Sequence, residues 1–272
     1  MRQSFLAAAL AAITAFAPLP LANAAVQAAS AAAKPDPAIL KAIADPRRSE
    51  ANRARDAFRH PAETLAFFEV KPGQTVIEFY PSGGWYTEIL APALNGKGRY
   101  VAMTNVKGMA SGQAMLDKNR AWFGAATVTG FDPAAPSTFP AGTADRVLTF
   151  RNVHNLIMAG DAVAAKAFAD FYRALKPGGI LGVVDHRLPE TMDSGLERKS
   201  GYLKRSTIIR LATAAGFKLA GESTVNANPK DTHDWPEGVW TLPPTYRLGD
   251  VDKAKYAAIG ESDRLTLKFV KK

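Results

Sequence analysis

The chain has no cysteine among its 272 residues. That excludes a disulfide framework, a thiolate nucleophile and a Cys-ligated metal. It has no Lys- or Arg-rich block and no basic helix. The formal net charge is +9, but the basic residues are scattered among acidic ones, which describes a solvated surface and not a nucleic-acid binder. There is no internal repeat. No His-x-x-x-His pair or carboxylate cluster suggests a metal site, although two histidines, His154 and His186, fall near the ends of adjacent predicted strands. Beyond the first two dozen residues, no apolar run is long enough to span a bilayer.

What is present begins with an export-type segment. Arg2 supplies a short positive region, Phe5 to Phe16 is apolar, and Ala22-Asn23-Ala24 is a small-x-small cleavage site. Pro18 and Pro20 break the apolar run, and no cysteine near Ala24 would carry a lipid. Residues 1–24 therefore read as a signal peptide. The expected location is the periplasm or the medium, with no stable membrane insertion after cleavage. Residues 25–37 are Ala-rich with two late prolines and read as a linker.

The rest, 38–272, reads as one α/β domain. Residues 38–70 form a helical cap. Asp45-Pro46 is expected to start its second helix, with Asp45 as N-cap. Asp56 and Arg59 are either pocket residues or an ordinary surface ion pair. The core, 71–272, alternates strands and helices: strands near 75–79, 99–103, 126–130, 145–150, 180–185, 217–223 and 264–270. Asp161 to Leu175 is an amphipathic helix whose stripe is Ala164, Phe168, Phe171 and Leu175. Ser206 is expected to cap a helix ending near Gly216. Residues 226–249, rich in Pro, Asp and Trp, read as an inserted lid. Its Trp235, Trp240 and Tyr246 either cover a ligand or anchor the loop.

The stretch Val76-Ile77-Glu78-Phe79-Tyr80-Pro81-Ser82-Gly83-Gly84-Trp85-Tyr86-Thr87-Glu88 reads as buried strand, tight turn, helix. That layout brings backbone N–H groups close to a ligand. It resembles motif I of the class I S-adenosylmethionine (SAM) dependent methyltransferases, acid-x-Gly-x-Gly-x-Gly. Glu78 takes the acid position and Gly84 the last glycine, while Tyr80 and Ser82 stand at the first two. The Pro-Ser-Gly-Gly-Trp-Tyr-Thr-Glu wording is similar to a subgroup of exported bacterial methyltransferases. Leu175-Lys176-Pro177-Gly178-Gly179 before an apolar strand is a second family signature.

The resemblance covers the span from Thr75 to Val270. It implies a Rossmann-like sheet of seven strands, order 3-2-1-4-5-7-6, with the last strand antiparallel and helices on both faces. It implies SAM as cofactor and a small-molecule methyl acceptor as partner. Glu78, Ser82, Gly83 and Gly84 would hold the methionine end. Thr104 or Asn105 would touch the ribose, where the family carries an acid, and Asp132 would either meet the adenine or cap a turn. After the fourth strand, Asn152 and His154 either serve the reaction or cap a helix, and His186 after the fifth is a second candidate base, with Asp185 beside it. The alternative is an inactive methyltransferase-like fold that binds another small ligand or an envelope partner.

Overall fold

The computed structural model describes residues 34–272. The segment read as a signal peptide and nearly all of the segment read as a linker lie outside the described residues. The chain enters through four short helices: α1 (Pro37–Ile43), α2 (Glu50–Arg53), α3 (Asp56–Arg59) and α4 (Pro61–Phe67). Next come β1 (Thr75–Phe79), α5 (Thr87–Leu94), β2 (Arg99–Asn105), α6 (Met109–Lys118), α7 (Arg120–Phe123), β3 (Thr127–Phe131) and β4 (Ala144–Phe150). After these follow α8 (Val153–Ala159), α9 (Asp161–Ala174), β5 (Leu175–Leu188), β6 (Leu203–Lys204), α10 (Arg205–Ala214), β7 (Phe217–Ser223), α11 (Lys253–Ile259) and β8 (Arg264–Lys271).

The sheet runs β3-β2-β1-β4-β5-β8-β7, with the two-residue β6 beside β5. Strands β1 to β5 pair in parallel, and β8 runs antiparallel to both neighbours. Once the small β6 is counted, this is the expected strand order. Strand alternation divides the core into two layers. Ile77, Phe79, Val101 and Met103 face α9 and α10, where Phe168, Phe171 and Ile208 are wholly buried. Val76, Tyr100, Ala102 and Leu148 face α1, α4 and α5, against Ile39, Leu65, Ile89 and Leu90. Burying each of these large side chains contributes about 2 kcal/mol, so α9 is held to the sheet chiefly by its predicted stripe.

Several local expectations give way. The second helix starts at Glu50 with Ser49 as N-cap, not at Pro46. Asp45 instead accepts from Arg47 N and pairs with its guanidinium. The intervening turn drives Arg48 into the interior, where it donates to Ile43 O and to both oxygens of Asp56. Ser206 does not cap α10, which starts at Arg205. Its amide and hydroxyl both donate to Glu190, so a carboxylate from the preceding loop satisfies the first turn. In the Leu-Lys-Pro-Gly-Gly turn, Gly178 takes φ +74°, as its place predicts.

Candidate functional site

The carboxyl ends of β1, β4 and β5 and the amino-terminal helices enclose a cavity of about 390 Å³. One wall is the turn after β1. Tyr80 and Ser82 hold φ +52° and +51°, and Gly84 holds φ +80°. Side chains therefore occupy left-handed positions where motif I carries its first two glycines, at a strain of about 1–2 kcal/mol each. Gly84 itself does not line the cavity; a Cβ there would point away from it and stand 3.1 Å from Met115 Sδ. The amides of Ser82 and Gly83 have no protein acceptor among the described residues, and both residues line the cavity.

Glu78 shares its face of β1 with Val76, beneath α5. It accepts from Tyr100 Oη at 2.6 Å and Thr87 Oγ1 at 3.1 Å. Burial pushes its carboxyl up to about 7, although both hydroxyls and Arg59 favour the ionised form. The acid is thus a buried floor beneath the turn and touches the cavity only at its edge.

The opposite wall is the β4–α8 junction. Asn152 Nδ2 is shared among the carbonyls of Phe79, Tyr80 and Phe150, each at 3.1 Å, and so joins the turn to β4. Asn152 is a positioning residue. Asp185, fully buried at the end of β5, accepts from the backbone amides of Val153, His154 and His186. Its Oδ1 also receives His154 Nδ1 at 2.8 Å. A carboxylate only accepts, so Nδ1 carries the proton and Nε2 is left as an acceptor facing the cavity. This Asp-oriented imidazole is the form a general base takes.

His186 is placed beside it, ring centroids 5.1 Å apart, but is differently engaged. Its Nδ1 meets Ser262 Oγ and its Nε2 accepts from Arg151 Nε at 3.3 Å. Burial, with Arg151 next, holds its pKa well below the usual value, so the ring is neutral and both nitrogens are used. One donor atom each of His154, Asp185 and His186 falls within 4.8 Å of the others. Asp185 is already saturated by N–H donors, however, and the Arg151 guanidinium adjoins His186, so the electrostatics do not favour a cation there.

The remaining lining is basic and aromatic. Arg55 Nε and Arg59 Nε donate to the two oxygens of Glu261, at 2.6 and 3.3 Å, and Arg264 Nη1 donates to the same carboxylate at 3.0 Å. Burial opposes the Glu261 charge, but the three arginines outweigh it and hold the carboxyl down at about 2. Arg59 is therefore not half of a surface pair with Asp56, which belongs to Arg48; it is a buried cavity residue whose partner is Glu261. Of the lid aromatics, Trp240 lines the cavity 6.1 Å from the His154 ring. Trp235 anchors the loop by donating to Asp231 at 2.7 Å. Arg55, Glu261 and Pro244 were not singled out by sequence reasoning; only long-range packing brings residues 55, 59, 261 and 264 together.

Thr104, Asn105 and Asp132 do not line this cavity. Asn105 Oδ1 accepts from Gly108 N at 2.7 Å, and Asp132 Oδ1 accepts from Ala134 N at 2.8 Å, so both cap turns. Between them and the cavity stands Tyr80. Its ring packs edge-on against Phe79, 4.3 Å between centroids, and lies 6.5 Å from Phe131. Burial raises the pKa of its hydroxyl, and the nearby Asn105 side chain opposes that rise. The ring thus lies over the ends of β2 and β3.

No protein-family model matches the chain, and no curated protein matches it. Solved structures do. A SAM dependent methyltransferase from Aquifex aeolicus aligns at 18% identity and TM-score 0.52, over 70% of this chain and 93% of that one. An arsenic(III) S-adenosylmethionine methyltransferase from Chlamydomonas reinhardtii aligns at 14% and 0.51, over 88% and 74%. The [4+2]-cyclase SpnF aligns at 16% and 0.54, over 86% and 92%. At these identities the likeness is one of fold: this chain has the Rossmann-like architecture that SAM-dependent methyltransferases share, with added amino-terminal helices.

Proposed function

We propose that the protein is a SAM-dependent methyltransferase acting on a small acceptor, with His154 as the proton acceptor. The carrying observation is His154 itself: one ring nitrogen fixed by buried Asp185, the other left bare in a cavity bounded by the motif I turn. SAM supplies an already activated methyl group. The chain's own work is to hold, align and deprotonate. The strained turn with its two unpartnered amides, those of Ser82 and Gly83, suits the methionine end. Ser82 and Gly83 would contact it and Glu78 would brace the turn from below. His154 Nε2 would take the acceptor's proton as its lone pair attacks. Asn152 would keep the turn in register with β4, and Trp240 would exclude water.

At the adenosine end Tyr80 must swing aside. Its ring is only half-buried, so the rearrangement is a rotamer change in a surface-facing side chain. Thr104, Asn105 and Asp132 would meet the cofactor only in that arrangement.

A second reading is favoured by the same tyrosine. With Tyr80 in place and an amide where the family carries a ribose acid, the fold would serve another ligand. Calorimetric titration with SAM separates the two readings. Micromolar binding that is lost in Gly84→Trp supports the transferase. No heat at millimolar SAM, either in the wild type or in Tyr80→Gly, removes it. We further propose export with cleavage near Ala24, which amino-terminal sequencing of the native protein tests. Among the described residues no helix is long and apolar enough to cross a membrane.

A further inference from the structure

The cavity holds more positive charge than the protein neutralises. Arg55, Arg59 and Arg151 line it, and Arg264 stands directly behind, against Arg59 and Arg151. The nearby acids are largely committed. Glu261 is shared by Arg55, Arg59 and Arg264. Asp185 is bound by His154 and three amides. Glu78 lies under two hydroxyls, and burial holds it up at about 7, so near neutral pH it is only part-ionised.

The guanidinium donors tell the same story. Neither terminal nitrogen of Arg59 has a hydrogen-bond partner among the described residues, although Arg59 is only 6% exposed. The same holds for Arg151, whose only side-chain bond is from Nε to His186. Arg55 Nη2 is buried without a partner. Burial, followed in part by mutual repulsion, lowers the affinity of Arg59 and Arg151 for their protons, to about 9 and about 10 respectively. Buried guanidinium groups left unpaired are costly. Such groups facing one cavity mark the place of a missing counter-charge.

SAM supplies at most one carboxylate, which the methyl-transfer reading seats at the amides of Ser82 and Gly83. The cofactor carries a sulfonium, an amine and one carboxylate, so it brings net positive charge into the cavity. We propose that the acceptor is an oxyanion, a carboxylate or a phosphate, seated on the unpaired nitrogens of Arg59 and Arg151 with its nucleophilic atom toward His154 Nε2. Arg151 extends from the β4–α8 junction, and Arg59 from the end of α3. An anion between them would join the helical cap to the sheet. The inference rests on the methyl-transfer reading for the word acceptor, but not for the anion site.

The test is calorimetric titration of the full mature chain at low ionic strength. The probes are 4-hydroxybenzoate, its neutral methyl ester and inorganic phosphate. We expect the acid, phosphate or both to bind at least tenfold more tightly than the ester, and to weaken as chloride is raised. Arg151→Gln should weaken binding a further tenfold or more, and Arg151→Lys should recover part of it. A melting curve on each variant verifies folding, and the wild-type ranking needs no variant at all. Preference for the acid points to a carboxylate acceptor, and preference for phosphate to a phosphorylated one. Equal binding of acid and ester without phosphate binding, or no binding of any probe at 10 millimolar, overturns the inference. If SAM binds while the anions do not, the transferase reading stands and the anion site falls. If the anions bind while SAM does not, the site survives and methyl transfer falls.

Discussion

The two ends of the sheet mouth are chemically opposite. Over β2 and β3 the polar groups have found one another: the Tyr80 hydroxyl lies near the Asn105 side chain, Asn105 caps Gly108, and Asp132 caps Ala134. Over β4 and β5 they have not. His154 Nε2 and the terminal nitrogens of Arg59 and Arg151 face a cavity with no partner among the described residues. Satisfied polar groups stabilise a fold, whereas unsatisfied ones in a cavity cost stability unless a ligand completes them. The contrast favours β4 and β5 as the place of the proposed chemistry, with Tyr80 as the boundary between a closed half and an open one.

The largest expected effect breaks the open half. Replacing His154 with Gln should lower the methyl-transfer rate by about 10²–10⁴-fold, the range for loss of a general base. SAM affinity, read by calorimetry, should stay within a few-fold. Equal losses in rate and affinity would make His154 a wall residue and not a base.

Next, Glu261→Gln removes the counter-charge of three arginines and should cost about 3–5 kcal/mol, a fall of roughly 10 °C in Tm. Because the folded-state pKa of Glu261 is depressed, its contribution is complete above the ordinary carboxyl range. It is lost as pH falls from about 4.5 toward about 2. The variant's stability should therefore be flatter than the wild type's across that acid limb.

Glu78 behaves in the opposite sense. Its folded-state pKa is raised, so the penalty is absent below about 4.5, grows as pH rises toward 7 and is constant above. Between pH 5 and pH 8 Glu78→Gln should therefore gain about 2.5 kcal/mol on the wild type by linkage, on top of a pH-independent loss of about 1 kcal/mol for weakened hydroxyl bonds. Denaturant midpoints at the two pH values measure it.

The smallest effect sharpens the boundary. Tyr80→Gly restores the residue motif I expects and relieves a left-handed side chain. SAM affinity should rise about tenfold, or 1.4 kcal/mol, with stability unchanged or slightly improved. An unchanged affinity would mean that Tyr80 does not stand in the cofactor's way.

Much of the architecture was readable because it is local. The α9 stripe repeats at three and four residues, the β1 turn carries its two glycines, and alternation marks β8. Helix α8 was not among the expected helices, although Val153, Leu156 and Ile157 share one face. The site was only half legible. His154, His186 and Asn152 are brought together at the ends of β4 and β5, yet their different engagements follow from hydrogen bonds that no spacing encodes. Asp45 and Ser206 have the composition of N-caps but lost the position to Ser49 and to the Glu190 carboxylate of the preceding loop. Arg59 looked like a helix-surface residue because its partner lies 202 positions away.

That separation has a temporal consequence. The arginines from the beginning of the domain and the glutamate near its end close one wall of the cavity jointly, so a chain still emerging from the ribosome has no binding site to offer. The pocket is complete only once the segment around residue 261 has folded back onto the amino-terminal helices, and a ligand that favours it can act only from then on.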